Sequence, residues 1–591
     1  MRPRRRKWLV QILGVPILVA LAVGAVVFAR GGDDSGSSPR LAAANLPNVV
    51  WLMTDDQEVA SMRVMPRTRR VLGRRGVTFA HSFAAWPLCC PSRATFQTGQ
   101  HAHNHGVLEN RPPLGGYGRL DSSSTLPVWL QEAGYTTVQV GEYINDYQGS
   151  DGVPPGWSEW YGLSEPANRY FKPRMNENGE IKRYGKRERD YSTDLFTRQA
   201  TGFIRRHSRE DDGPFLLSLG YVAPHVGKAF VSNGRCGENG PEPAPRHEGI
   251  FQGEGIPRTP AFNEDDVSDK PDPIRRLPKL RGALLREKTD RYQCRLESLL
   301  AVDESVSEIV RALRQSGELD NTYVFFTSDN GYVQGEHRLD GGKSVLYEES
   351  LRVPLLVRGP GIPQGRTARG LVSNVDWSPT ILDIAGAAAG VPQDGTSMLP
   401  AARRPSLRRG RALLIESARE RYTGVRTARY VYAEYYDGGD YAHDDVEMYD
   451  LRRDPHQLEN LRDDPAYEDA RENLARLLDR LRECEGEGCE AVPHLRLSVE
   501  RQPVRRAAPC RAGRAVATVA GHDAGALRAA RYWLGGQPVG RGGAEPREIA
   551  VPPGRDVRVR AKLELVDGRI TEVDASLPGC DLTRGGSVRQ R

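Results

Sequence analysis

Short apolar runs recur through the first two thirds of the chain, and each gives way to a polar cluster. Residues 48–53 (NVVWLM) lead into Thr54, Asp55, Asp56 and Gln57, and residues 136–140 lead into Gly141-Glu142-Tyr143-Ile144-Asn145. Residues 215–220 (FLLSLG) lead to Ala223-Pro224-His225, and residues 323–327 (YVFFT) to Ser328-Asp329-Asn330-Gly331. Runs without polar alternation predict strands buried on both faces. Between them the apolar spacing becomes helical, over 126–133 (stopped by Gly134), 193–206 and 291–314, where Leu296, Leu299, Val306, Ile309, Val310 and Leu313 recur. A strand over 353–358 and a helix opening near Asp376 continue the series. This alternation, to about residue 400, predicts an α/β fold with a mostly parallel sheet covered on both faces. Such sheets bind ligands at the carboxyl ends of their strands, where these polar clusters fall.

The pattern changes twice further on. Residues 411–451 are strand-rich and precede a helix over 467–482, which predicts a smaller antiparallel subdomain. From about residue 497, strand-like runs at 515–520, 531–535, 548–551, 557–566 and 571–575 alternate with Gly/Pro turns, predicting a small immunoglobulin-like β-sandwich. Wall or glycan attachment and a plain spacer are both open to that unit. Two polar stretches, 146–190 and 232–288, read as irregular loops that wall a cleft. The expected organisation is a signal segment (1–30), a tether (31–46), a catalytic domain (47–405), its C-terminal subdomain (406–495) and the β-sandwich (497–591).

The amino-terminal segment decides the compartment. Residues 1–7 (MRPRRRK) are basic, and 8–29 form an apolar run long enough to span a bilayer as an uncleaved anchor. A cleaved signal peptide ending at Val27-Phe28-Ala29 is the alternative. Either way the chain is expected to be exported, secreted or held at the membrane by that helix. Beyond Cys89 and Cys90 there are six cysteines, and export permits disulfides; the sequential pairing 236–294, 484–489 and 510–580 is expected. Over 591 residues, 38% hydrophobic and 27% charged content is that of a soluble globular protein, and the net charge of +6 is small. No compact Arg/Lys stripe with aromatics appears, so nucleic acid is not an expected partner.

The chemistry concentrates in Pro87-Leu88-Cys89-Cys90-Pro91-Ser92-Arg93-Ala94-Thr95-Phe96-Gln97-Thr98-Gly99. Pro91 suits a first helical turn, which puts Cys89 at a helix N-terminus, where unpaired N–H groups favour negative charge. Arg93 follows one turn later with a fork suited to an anion. Two buried core cysteines are the plain alternative. Asp55, Asp56, Asp329 and Asn330 offer only oxygen ligands, which suits Ca²⁺ or Mg²⁺ rather than zinc.

Cys-x-Pro-Ser-Arg followed by Thr98-Gly99 resembles the signature of type I sulfatases, on an alkaline-phosphatase-like fold. Cys89-Cys90-Pro91-Ser92-Arg93 and His103-Asn104-His105-Gly106-Val107 are most similar to the branch of N-acetylglucosamine-6-sulfatases and bacterial arylsulfatases. The likeness runs from about Asn48 to Leu461. It implies that Cys89 is oxidised by a formylglycine-generating enzyme to Cα-formylglycine. It also implies that Asp55, Asp56, Asp329 and Asn330, with residue 89, hold one cation, Ca²⁺ by family, with Mg²⁺ left open. In the implied reaction the hydrated aldehyde attacks sulfur, Arg93 and Lys343 hold the sulfonate oxygens, and His225 protonates the leaving alcohol. The substrate is a sulfated sugar or an aryl sulfate. One departure bears on this: Glu142 stands where that branch has lysine, and it either repels sulfate or pairs with Arg93 or Lys343. A phosphodiesterase or phosphonate hydrolase of the same superfamily, and a sulfated-glycan binding protein without turnover, are the alternatives.

Overall fold

A computed structural model describes residues 46–578, except 211–212, 228–234, 238–239, 408–409, 437–442, 502–512 and 553–554. The apolar run at 8–29 and the proposed Cys510–Cys580 pair therefore lie outside the described residues. Among those described, no helix is long and apolar enough to cross a membrane.

Ten strands make one sheet: β1 (Asn48–Thr54), β2 (Val77–Phe83), β3 (Thr136–Gly141), β4 (Glu159–Leu163), β5 (Arg174–Glu177), β6 (Glu180–Arg183), β7 (Phe215–Gly220), β8 (Thr322–Ser328), β9 (Leu355–Arg358) and β10 (Arg366–Ser373). Their order is β10-β2-β9-β8-β1-β7-β3-β4-β5-β6. The central run β8-β1-β7-β3-β4 is parallel throughout, with β9 set antiparallel between β8 and β2. The stretch 146–190 is not simply loop: it carries β4, β5 and β6, which extend the sheet edge. These strands are short, and Ile181 is the one aliphatic residue of β6 (EIKR), so no apolar run announced them.

Side chains on β1 alternate between two cores, as a strand buried on both faces requires. Val50 and Leu52 join residues of α2 (Ser192–Glu210) and α3 (Gly282–Gln315), whereas Val49, Trp51 and Met53 join those of α1 (Cys89–Thr98) and α4 (Trp377–Ala385). Trp51 is fully buried against Phe96 of α1 at 4.7 Å, Phe325 of β8 at 4.8 Å and Trp377 of α4 at 5.1 Å between ring centroids. This aromatic cluster seats α1 on the sheet directly beneath the polar strand ends.

The C-terminal subdomain is an antiparallel sheet of β11 (Leu413–Ser417), β12 (Tyr422–Arg426), β13 (Tyr430–Tyr436) and β14 (His443–Asp450). Leu474, Leu477, Leu478 and Leu481 of α5 (Glu468–Leu481) pack on it. Two further antiparallel sheets enclose one apolar core. One holds β15 (Arg496–Arg501), β16 (Arg514–Ala520) and β19 (Arg547–Ala550). The other holds β17 (Leu527–Leu534), β18 (Gln537–Gly542), β20 (Val557–Leu565) and β21 (Ile570–Leu577), in the order β18-β17-β20-β21. Disulfides join Cys236 to Cys294 and Cys484 to Cys489.

A polar clasp fastens the segment after α1 to the subdomain. His103 donates through Nδ1 to Glu416 Oε1 (2.8 Å) and through Nε2 to the Cys484 carbonyl (2.9 Å). Asn104 donates to Asp394 Oδ2 and to the same carbonyl, and Asp394 also accepts from the Gly486 N–H. Both ring nitrogens of His103 face acceptors, so the ring is an imidazolium. Burial alone would lower its pKa; the Glu416 carboxylate and Cys484 carbonyl outweigh that and raise it from 6.5 to about 9. Its stabilisation is therefore fully present below the unfolded value and is lost as pH rises through the folded one. We expect His103→Gln to lower the melting temperature clearly at pH 6, with the gap to the parent closing as pH rises through about 9. Thermal unfolding of both proteins across that range checks it, and a gap that stays constant with pH would refute the imidazolium.

Candidate active site

Register brings the four polar clusters together. Thr54 pairs with Ser328, Met53 with Gly220, and Gly220 with Gly141, so β8, β1, β7 and β3 end at one level. Asp55 and Asp56 leave β1, Asp329 and Asn330 leave β8, Glu142 leaves β3, and His225 follows β7. Asp56 takes a left-handed backbone (φ 66°), which turns the chain sharply after the strand. α1 points its N-terminus at these ends. Cys89 is its first residue, Pro91 lies in its first turn and Gly99 closes it in a left-handed cap (φ 69°).

The side chains meet in a buried space. Cys89 Sγ lies 3.2 Å from Asp55 Oδ1 and 2.6 Å from Lys343 Nζ. Lys343 also bonds the Asp56 carboxylate and lies 3.8 Å from Asp55. Arg93 donates from Nε to Asp329 Oδ2 (2.9 Å), from Nη2 to Asp55 Oδ2 (3.1 Å) and from Nη1 to the Glu142 carbonyl (3.2 Å). Its fork thus holds two acids in place. His225 Nε2 stands 3.7 Å from Asp56 Oδ2 at the more open side, while its Nδ1 contacts the Val226 carbonyl.

Three buried carboxylates against two fixed cations leave negative charge uncompensated. Burial and the neighbouring Asp55 raise Asp329 from 3.8 to about 6. Burial works the same way on Asp55, but His225, Lys343 and Arg93 outweigh it and hold that carboxyl well below the usual range. Burial, then Asp55, pushes the Cys89 thiol well up. Glu142 is buried with Oε2 3.6 Å from Arg93 Nη2. Burial raises its carboxyl well above the ordinary range despite Arg93.

The residues fit a hard divalent cation. Asp55, Asp56, Cys89 and His225 present potential ligand atoms within 4.8 Å of one another. Asn330 donates to Asp56 Oδ1 (2.7 Å), yet its own buried Oδ1 has no hydrogen-bond partner. An orphaned amide oxygen beside three carboxylates is the oxygen-only donor set that such an ion takes.

Two positioning groups went unread in the sequence. Arg295 of α3 is fully buried and donates to the carbonyls of Asp56 and Pro224 and to Glu58, pinning the strand-end turns from below. The signal was a cation four residues before Leu299 on an otherwise apolar stripe. Asn374, after β10, bonds Ser92 Oγ at 3.0 Å, and Ser92 bonds the Asp329 carbonyl at 2.5 Å. His337, by contrast, lies outside the cluster, bonded to Glu264 at 2.6 Å and stacked on Tyr347.

Residues 47–387 match the family described as Sulfatase, and residues 335–484 match N-sulphoglucosamine sulphohydrolase, C-terminal. The chain belongs to the sulfatase family, on an alkaline-phosphatase-like core with C-terminal all-β parts. Among particular relatives, it is 37% identical over 359 residues to an extracellular sulfatase Sulf-1 homologue of Caenorhabditis elegans, covering 60% of this chain. It spans only 48% of that relative's length. It is 32% identical over 476 residues to the N-acetylglucosamine-6-sulfatase of Capra hircus, covering 73% of this chain and 82% of the relative. A solved complex of a protein with its substrate D-glucosamine-2-N,6-O-disulfate superposes with a TM-score of 0.61 at 25% identity, over 73% of this chain and 97% of that one.

A cation bound to the native state alone stabilises it, by about 2.7 kcal/mol at about a hundred times its dissociation constant. We expect Ca²⁺ to raise the melting temperature of chelator-treated protein, and Asn330→Ala with Asp329→Asn to abolish that rise. A rise of equal size in the double variant would exclude these residues as the ligands.

Proposed function

We propose that this chain is an exported sulfatase that hydrolyses sulfate esters of sugars through an oxidised Cys89. The observation that carries the reading is the setting of Cys89: first residue of α1, 3.2 Å from Asp55, 2.6 Å from Lys343, within the sulfatase match. Names borne by relatives, N-acetylglucosamine-6-sulfatase and a complex with a glucosamine disulfate, favour a sulfated amino sugar as substrate. Two disulfides and a relative named as extracellular favour export. Oxidation to formylglycine needs a generating enzyme in the same host.

Asp55, Asp56, Asp329 and Asn330 hold the cation in this reading, Ca²⁺ by family with Mg²⁺ open. When bound there, such an ion would supply Lewis-acid polarisation of the sulfate ester and would lower the pKa of a hydroxyl on residue 89. Lys343, already against Sγ of residue 89, steadies an entering sulfonate oxygen. Arg93 keeps Asp55 and Asp329 oriented and adds positive charge at the same end of the site. His225 donates from Nδ1 to the Val226 carbonyl, so Nε2, on the open side near Asp56, carries a proton only in the imidazolium. That form gives its Nε2 proton to the leaving alcohol and is left as the neutral Nδ1–H ring. Glu142 is buried beside Arg93, and that burial favours its uncharged carboxyl, which lessens its repulsion of sulfate.

Mass spectrometry of the peptide across Cys89, from protein made in a host with the generating enzyme, should show the aldehyde or its hydrate. Cys89→Ala should abolish sulfate release from N-acetylglucosamine-6-sulfate. Plain cysteine with retained binding would leave a glycan-binding protein, and turnover of phosphate diesters in place of sulfate esters would leave a phosphodiesterase. Glu142→Gln should keep kcat/KM within about threefold, as expected where burial favours the uncharged carboxyl. A much larger gain would mean that an ionised Glu142 had been repelling substrate.

A further inference from the structure

The outer face of the β18-β17-β20-β21 sheet carries a feature that the catalytic chemistry does not use. Tyr532, Val559, Ala561 and Leu563 face the core, so the alternate positions of β17 and β20 face outward. Register sets Arg541 of β18 opposite Arg531 of β17, and Arg531 opposite Lys562 of β20. Three cations thus lie in one row across three strands, spanning about 10 Å at about 4.8 Å per strand. Like charges directly opposite one another destabilise a sheet. Among the described residues no acid lies within ion-pair distance of any of the three, although Glu572 pairs with Lys562 in register.

The next row sets Trp533 opposite Arg560. Trp533 is half-buried, and with Arg558, Arg560, Lys562 and the Gly535-Gly536 turn it lines an open cleft of about 600 Å³. Asp574 takes up Arg558 (2.9 Å) and Arg560 (3.4 Å), which line the same cleft as Trp533. Around the indole three cations, Arg558, Arg560 and Lys562, meet two acids, Glu572 and Asp574. Arg531 and Arg541 extend the positive row beyond the cleft, while Glu564 on the same face is taken up by Arg452 and Arg528. A fold that sets charges against each other in this way gains when a polyanion covers them.

We propose that this face binds an anionic polysaccharide, a sulfated glycan chain, separately from the active site. The indole offers an apolar plate to a sugar ring's C–H face, and the cation row meets sulfates along the chain. A single aromatic residue on the face does not provide the succession of plates on which single-stranded nucleic acid stacks. The choice of a sulfated chain over other acidic glycans rests on the sulfatase reading; the cationic face itself does not.

Binding of dextran sulfate by the full-length Cys89→Ala protein tests this without turnover, with uncharged dextran, a single-stranded DNA oligomer and anionic phospholipid vesicles as comparators. Arg531→Ser, Arg541→Ser and Lys562→Ser combined should weaken dextran sulfate binding about tenfold, from three exposed charges. Trp533→Ala should weaken it as well, and both variants on the Cys89 background should release sulfate from a monosaccharide as the parent does. Unchanged dextran sulfate affinity in the triple variant would overturn the proposal, as would equal or tighter binding of the DNA or the vesicles. Loss of binding with no sulfate release by any protein would sink the catalytic reading and leave this one standing. Unfolding curves matching the parent's show that the exposed substitutions have not disturbed the fold.

Discussion

Asp55, Asp56 and Asp329 are buried within contact of the same few atoms, and repulsion among them is the constraint that the site is built to meet. Arg93 bridges two of them and Lys343 engages the third, so the two cations offset part of the charge and at the same time fix the geometry of the acids. The strand register delivers the acids, the aromatic cluster around Trp51 holds the helix that delivers Arg93, and Arg295 pins the turn that carries Asp56. Each piece has meaning only because the others place it. An oxygen-seeking cation is the natural completion, since the remaining negative charge and the unpartnered Asn330 oxygen ask for the same thing.

The sequence made the centre of this arrangement readable and its margins obscure. β1, β3, β7 and β8 are uninterrupted apolar runs because both faces are covered, and their polar ends stand out against them. β4 to β6 and β10 lie toward the sheet edges, where alternation is weak and short polar strands look like loop. Positions 55, 56, 89, 93, 225, 329, 330 and 343 were identifiable because their residue types break an apolar context or match a long motif. Arg295 and Asn374 act at second hand through backbone groups, and a side chain that binds a carbonyl leaves no periodic signature.

Glu142 shows how burial changes the meaning of a substitution. Read as a string, an acid in place of a lysine next to a sulfate site is a reversal of charge. In the folded protein the same carboxyl is buried beside Arg93, and burial favours its uncharged form. Burial thus works against the reversal of charge that the letters suggest.

The clasp around His103 has a consequence for the order in which the molecule is made. Its partners Asp394, Glu416 and Cys484 lie 290, 313 and 381 positions further along the chain. A ribosome adds residues at about 5–20 per second, so the segment carrying Cys89 emerges well before anything exists to cover it. In the finished fold Cys89 is only 1% exposed. The length of chain between α1 and its clasp sets how long that helix waits for its covering partners, and the proposed oxidation of Cys89 would fall in that interval.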